Sequence, residues 1–265
     1  MPLSPLLSAY DHVLLDLDGC VWVSDELTDG APEALSTLRA AGKTVTFITN
    51  DAARSPEEYV RKLWGLGLQA ALEEIVTVGS AIQFLLAERF SGALAFVIGS
   101  AAIHRHVADS GQRIVNGTDR ADTADLVVVA AHDRLSYDEL AHATRAVLSG
   151  AEMIAAGRDR TYPTIDGPSP GTGMVVSGLE YATGASARSV GKPDTLIFQT
   201  ALDRLGPGRT LMVGDRLDSD LAGAAASGLD GALVLTGVTT REQAEAAADP
   251  APVAIADSLH TLVIG

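Results

Sequence analysis

Two carboxylates two residues apart, Asp16 and Asp18, follow the apolar run 13–15 and precede Gly19. The run reads as a short buried strand. A side chain at its tip can point away from the core, and Gly19 lets the chain turn sharply just beyond it. Carboxylates held this close repel and raise each other's pKa unless a cation lies between them. A divalent metal, an incoming phosphate or both would relieve the conflict; an acidic turn with no chemical role is the plain alternative. Two more apolar runs end in the same way, in Thr49-Asn50 and in Gly214-Asp215. In an open parallel sheet such ends share one edge, where ligands bind beyond the strands. Lys192, in Gly191-Lys192-Pro193, opens a predicted helix and can reach that edge. A cation there sits poorly with the helix dipole unless an anion is near. The segment is not a Walker A loop: the spacing from Gly184 to Gly191 is wrong, and Pro193 stands where Ser or Thr should follow the lysine.

The elements that must position these residues alternate. Strands are predicted near 13–15, 44–48 and 74–78, with helices at 32–41, 56–64 and 81–89 between and after them. That order describes a parallel sheet covered on both faces. A soft boundary falls at 90–92, and a second strand–helix series runs from 95 to 156. A Gly- and Pro-rich loop follows at 166–173, then a helix at 174–182. The last third predicts helices at 194–205 and 221–227, strands at 210–213, 233–235 and 253–256, and a short surface helix over 244–248. No internal repeat or low-complexity tract interrupts the series.

Composition narrows the partners. The 265 residues carry 34 acidic and 19 basic side chains, a formal charge of −15. Such an excess repels nucleic acid and anionic lipid, so neither is expected as a partner, whereas a small anion held by a local cation is compatible with it. Cys20 is the single cysteine, which excludes an intrachain disulfide and a Cys-rich metal cluster. The first ten residues have no basic start and no long apolar core, and no apolar run is long enough to span a bilayer. The expected compartment is the cytoplasm.

Asp16-Leu-Asp18-Gly19, Phe47-Ile48-Thr49-Asn50, Gly191-Lys192-Pro193 and the run from Gly214 through Asp215 and Asp218 to Asp220 resemble, in order, the four signature motifs of the haloacid dehalogenase superfamily. The long insert between the second and third resembles the C2 cap of its NagD / p-nitrophenylphosphatase branch. The resemblance covers nearly the whole chain. It implies an α/β fold: a doubly wound parallel-sheet core, Rossmann-like, over residues 1–88 and 181–265, with an inserted α/β cap domain over 89–180 that closes on the site. It also implies a Mg²⁺-dependent phosphatase of small phosphomonoesters. Asp16 would be the nucleophile and Asp18 the general acid and then base. Mg²⁺ would be held by the Asp16 and Asp215 carboxylates and the Asp18 carbonyl. Thr49, Asn50, Lys192 and backbone N–H groups would hold the phosphoryl oxygens, and Asp220, with Asp218 beside it, would orient the metal shell or Lys192. A homodimer formed through the cap is compatible with the branch, and the partner expected at the site is a small phosphorylated metabolite such as a sugar phosphate or glycerol phosphate.

Two departures from the branch bear on substrate. Asp51 follows Asn50 where many members have a second Asn, which adds an unexpected negative charge unless its side chain points away. In the cap, Gly157-Arg158-Asp159 replaces the usual Asn-x-Asp, so Arg158 and Asp159 become the candidate substrate contacts, with Arg158 suited to a carboxylate or second phosphate. His104 and His106, two apart on a helix, point in different directions and read as surface residues. Cys20, Trp22 and Trp64 read as packing. A phospho-accepting signalling domain also combines Mg²⁺ with Asp, Thr and Lys, but on a shorter chain and without a second Asp two residues after the acceptor. A catalytically silent sensor of a phosphorylated metabolite would need neither Asp16 nor Asp18.

Overall fold

The computed structural model describes residues 2–130, 132, 134–164 and 167–264. Its backbone is built on two parallel sheets. The larger has six strands in the order Ala254–Ala256, Asp230–Val234, Thr210–Gly214, His12–Asp16, Thr44–Thr49 and Ile75–Thr77. His12–Asp16 is buried at every position, as expected for a strand flanked on both sides by others in a sheet covered on both faces. From it the chain moves outward through Thr44–Thr49 on one side and later returns to Thr210–Gly214 on the other. The strand order therefore reverses between His12–Asp16 and Thr210–Gly214. Ligands bind at such a switch point, beyond the carboxyl ends of the strands.

Local chemistry sets the helices that cross over. Ala31–Ala40 starts after Gly30, whose φ of 72° suits glycine, and carries Pro32 in its first turn. Thr195–Leu205 is capped by the Asp194 carboxylate, which accepts from the Leu196 N–H at 3.0 Å, and ends at Gly206. One core joins the sheet to its helices through Leu15, Phe47, Leu38, Leu211 and Leu262, all buried. Each such side chain contributes roughly 1.5–3 kcal/mol by leaving water.

The second sheet has five strands in the order Arg188–Ser189, Glu152–Ala155, Leu126–Val129, Leu94–Ile98 and Arg113–Ile114, again parallel. It has its own core around Phe96, Val127, Ile154's neighbour Met153 and Val176. By contacts the chain divides into two compact units, Met1–Thr49 with Pro56–Val76 and Lys192–Gly265, and Asn50–Ser55 with Thr77–Gly191. The helix Val78–Arg89, which the sequence placed before the boundary, belongs to the second unit, as does the whole of Thr172–Thr183.

Three local features differ from the expectation. The segment after the Asp-x-Asp turn forms a hairpin, Trp22–Val23 paired antiparallel with Glu26–Leu27. Part of the expected loop at 166–173 is a strand, Gly167–Pro170, paired antiparallel with Thr161–Thr164; Asp166 itself lies outside the described residues. The helix expected at 221–227 starts earlier, in a π-helical turn over Leu217–Leu221 that runs into Ala222–Ala226. Strands this short offer too few residues for alternation to register, and a wide π turn does not follow the 3.6-residue period.

Candidate active site

Asp16 is the last residue of its strand, and its side chain is buried. Register pairs it with Ile48, so Thr49 lies one step beyond it on the neighbouring strand. On the other side Leu15 pairs with Val213, which puts Gly214 level with Asp16 and Asp215 one step past it. The three polar strand ends expected from the sequence thus share one edge. Lys192 reaches the same place: its Nζ donates to Asp16 Oδ1 at 2.5 Å and to Asp220 Oδ1 at 2.6 Å, and all three side chains are buried.

Carboxylate oxygens of Asp16, Asp215 and Asp220 lie within 4.8 Å of one another. Close packing against glycine makes this possible. A Cβ at Gly214 would come within 2.3 Å of the Asp220 carboxyl carbon. Asp215 is held between Gly19 and Gly237, where an added Cβ would approach its carboxyl group to 2.6 and 1.9 Å. Asp220 is fully satisfied, since its Oδ2 accepts from the Arg216 N–H at 3.1 Å while Oδ1 meets Lys192. Asp215 is not. Its Oδ2 accepts from the Val238 N–H at 2.6 Å, but its buried Oδ1 has no hydrogen-bond partner among the described residues.

The charges do not balance. Three carboxylates face one ammonium, which leaves two formal negative charges in a buried space. Burial lowers the affinity of Lys192 for its proton, but the Asp16 and Asp220 carboxylates outweigh it and hold the ammonium well above its usual pKa. Burial pushes the Asp16 carboxyl well above the carboxylate range; Lys192 pulls it back, and Asp220 and Asp215 add to the push. Asp215 is raised from 3.8 to about 6, by burial first and by Asp220 next. Uncompensated buried carboxylates are costly, and each of these shifts registers that cost. A divalent cation would supply the missing charge, and the orphaned Asp215 Oδ1 would be a ligand for it. The residues therefore fit a hard, oxygen-seeking ion.

Asp18 is exposed, with Oδ1 accepting from the Trp22 indole N–H at 2.7 Å. Asp218 stands apart from the cluster, paired at the surface with the Arg216 guanidinium at 3.1 Å. Cys20 is a packed thiol, its pKa driven up by burial and by the nearby carboxylates. The loop after Asp230–Val234 was missed in the sequence, although it carries Gly237 and Val238 against Asp215, and Thr236, whose hydroxyl donates to the Gly19 carbonyl at 2.5 Å. Its signal was present: a fourth apolar run ending in a polar residue and a glycine, Leu235-Thr236-Gly237.

Within the second unit the remaining candidates separate. Asn50 lies against Gly191, where a Cβ would come 2.7 Å from its Oδ1. At Gly157 a Cβ would come 3.0 Å from Asp159 Oδ2 and 4.0 Å from Asn50 Nδ2, so Asn50 and Asp159 flank the glycine that replaces the expected Asn. Arg158 is engaged elsewhere. It forms two bonds to Glu180, at 3.1 and 2.7 Å, and a third to the Ala187 carbonyl at 2.9 Å. That clasp raises the guanidinium pKa and lowers that of Glu180. Asp51 accepts from the Ala53 N–H at 2.8 Å and meets Arg54 at 3.3 Å, which offsets its charge locally. His106 is buried with Nδ1 2.8 Å from Gln83 Oε1, contrary to the surface role read for it, and Trp64 is 63% exposed instead of packed.

Comparisons with known proteins identify the family. A haloacid dehalogenase-like hydrolase family model matches residues 13–113, and a second HAD-hydrolase-like model matches residues 189–262. The D-glycerol 3-phosphate phosphatase of Mycobacterium tuberculosis is 38% identical over 87% of this chain, which spans 64% of that relative's length. A glycerol phosphate phosphatase from the same organism, solved in complex with magnesium, superposes with a TM-score of 0.90 at 35% identity, over 98% of this chain and 78% of that one. The acid sugar phosphatase of Staphylococcus aureus is 31% identical over 90% of this chain and 92% of its own. The p-nitrophenyl phosphatase of Archaeoglobus fulgidus superposes with a TM-score of 0.87 at 31% identity, over 96% of this chain and 98% of its own. The chain belongs to the haloacid dehalogenase-like hydrolase family.

Proposed function

We propose that this protein is a Mg²⁺-dependent phosphatase of small phosphomonoesters that works through an aspartyl phosphate on Asp16. The observation that carries the reading is the buried carboxylate at the switch point, in contact with Lys192 and gathered with Asp215 and Asp220 within 4.8 Å. A carboxylate does not approach an anionic phosphate unless the charge between them is neutralised. Asp16, Asp215 and the Asp18 carbonyl would hold Mg²⁺, which supplies that neutralisation when bound. Asp220, with both oxygens engaged, orients Lys192 instead of ligating.

The chain's own residues then divide the work. Asp16 attacks phosphorus, and the bond to the ester oxygen breaks with its electron pair on that oxygen. Asp18 delivers the proton that makes it an alcohol. In the second half Asp18 takes a proton from water, the water oxygen attacks phosphorus, and Asp16 is released with phosphate. Thr49 and Lys192 hold the phosphoryl oxygens as charge spreads over them. The second unit serves as the cap domain, with Asn50 and Asp159 near Gly157 as its substrate-facing residues; Arg158, spent on Glu180, braces that loop.

The substrate class follows from the relatives, which are named for glycerol phosphate, sugar phosphates and p-nitrophenyl phosphate. A small phosphomonoester such as glycerol phosphate or a sugar phosphate is the reading that fits all three. A partner of this kind requires no nucleic acid and no membrane, and no helix among the described residues is long and apolar enough to cross one. Phosphate release from a panel of phosphorylated metabolites, with and without Mg²⁺, tests the reading. Mg²⁺-dependent release from several small esters is expected; release from none, or equal release in a chelator, would refute it.

A further inference from the structure

Lys192 ties the buried Asp16 and Asp220 together and the Val238 N–H holds the buried Asp215, whereas Asp18 is exposed. A general acid on the surface needs something to aim it. One group that holds Asp18 is Trp22, whose indole N–H donates to its Oδ1 at 2.7 Å. The turn between them is tied as well, with the Gly19 N–H on the Trp22 carbonyl at 2.7 Å and the Trp22 N–H on the Leu17 carbonyl at 3.2 Å.

Trp22 is itself immobilised. It is fully buried at the start of the hairpin, and its ring lies 8° from parallel to that of Tyr59, with centroids 6.2 Å apart. Lys62 sits with its Nζ 4.2 Å from the centroid of the indole. Tyr59 and Lys62 are three residues apart on the helix Pro56–Gly65, so both face the hairpin. Lys62 also meets Asp25 at 3.1 Å and the Ser24 carbonyl at 3.3 Å, which clasps the hairpin tip to the same helix. A cation over the ring withdraws electron density from it and strengthens the N–H as a donor.

An indole N–H donates and cannot accept. Oδ1 of Asp18 is therefore the accepting oxygen whether or not the group carries a proton. A neutral carboxyl accepts best at its carbonyl oxygen, so the proton resides on Oδ2. We propose that Trp22 is a positioning residue for Asp18: its indole N–H fixes Oδ1 as the acceptor and reserves Oδ2 for giving a proton to the ester oxygen and taking one from the attacking water. The proposal deepens the phosphatase reading and rests on it. The proton leaves Oδ2 as the phosphorus–ester bond breaks and an alcohol departs. It is replaced on Oδ2 by a proton of the water whose oxygen ends in inorganic phosphate.

The consequence is a dependence on leaving group. An alkoxide cannot depart without that proton, whereas nitrophenolate can. Trp22→Phe keeps an aromatic ring between Tyr59 and Lys62 and removes the N–H together with the rest of the five-membered ring. With Mg²⁺ present, kcat/KM reports the steps through loss of the leaving group. For glycerol 3-phosphate it should fall about 10- to 100-fold in Trp22→Phe, part of what a positioned general acid contributes. For p-nitrophenyl phosphate it should stay within about 2-fold, with a lower Tm from the smaller buried ring but a folded protein at the assay temperature. Lys62→Met, which leaves the N–H in place but strips the cation from the ring, should lower the alkyl substrate alone by about 3-fold, and it decides the matter if Trp22→Phe does not fold. Equal losses on both esters, or no loss on either, overturn the proposal while the wild-type activity leaves the phosphatase reading standing. A wild-type protein inert on both esters overturns the two together.

Discussion

Both units carry ion pairs at the surface, but the first also buries charge that does not cancel. In the first, three carboxylates and one ammonium are buried together and their charges do not cancel. In the second, charges meet in one-to-one pairs that stay partly in water, such as Arg158 with Glu180 and Arg89 with Glu152. Partly exposed pairs of this kind are worth little, up to about 1 kcal/mol each, and they secure local geometry. A buried, unbalanced cluster costs stability, and it persists only where something else repays the cost. The contrast separates groups kept for chemistry from groups kept for shape.

The largest effect should come from the centre of the imbalance. Asp16→Asn keeps the shape and removes the attacking oxygen, so phosphate release should fall at least about 10⁴-fold, as for other nucleophile deletions. Steady-state release assays check this, and activity near that of the wild type would show that the cluster is not the reacting centre. Lys192→Met should lower kcat about 10²- to 10³-fold by removing a fixed donor to the phosphoryl group. Because it strips the one cation from buried carboxylates, it should also cost about 3–5 kcal/mol in denaturant unfolding without Mg²⁺.

Asp215→Asn tests the orphaned ligand. The Mg²⁺ concentration for half-maximal activity should rise by at least about 10-fold, since changes even outside the ligand set cost that much. A requirement unchanged from the wild type would remove Asp215 from the metal site. The raised Asp215 pKa adds a pH dependence. Between the ordinary carboxylate value of 3.8 and about 6, the folded metal-free protein holds a proton that the unfolded chain releases. This group's contribution to metal-free stability therefore falls as pH rises through that window. Mg²⁺ competes with the same proton, so the rise in Tm on adding Mg²⁺ should be larger at pH 7.5 than at pH 5; a larger rise at pH 5 has the wrong sign for this site.

The smallest effect belongs to the balanced unit. Arg158→Ala loses an exposed clasp, with the guanidinium side chain 47% accessible. Unfolding should be easier by about 1 kcal/mol or less, and kinetics on small esters lacking a second anion should change by less than about 3-fold, under 1 kcal/mol. A substrate-specific rise in KM in that variant would return Arg158 to the substrate.

What could be seen in the sequence follows the same division. Asp16, Thr49 and Asp215 were legible because each ends an apolar run, and strand ends converge by topology whatever their separation along the chain. Lys192 was legible through its motif, and the parallel alternation of the core through its periodicity. The Trp22–Asp18 bond was not, because nothing in a tryptophan's neighbours says where its N–H points. Nor was the burial of His106 against Gly79, where a Cβ would meet the imidazole at 2.4 Å, since that contact joins two helices. The loop carrying Gly237 and Val238 ends an apolar run as the other three do, but its contact with Asp215 is made by a backbone N–H, which no residue type announces. The Arg158 clasp depends on Glu180 and Ala187, more than twenty residues downstream. Pairings of this sort are made by the fold and not by the local chain.

The account turns on a phosphoryl group passing through Asp16. Rapid acid quench during turnover of a radiolabelled phosphomonoester, followed by peptide mapping, tests that passage most directly. The account predicts a hydroxylamine-labile phosphoryl label on the peptide that contains Asp16, present within one turnover and missing in Asp16→Asn. A label on any other residue, or rapid turnover with no labelled protein at any quench time, would contradict it.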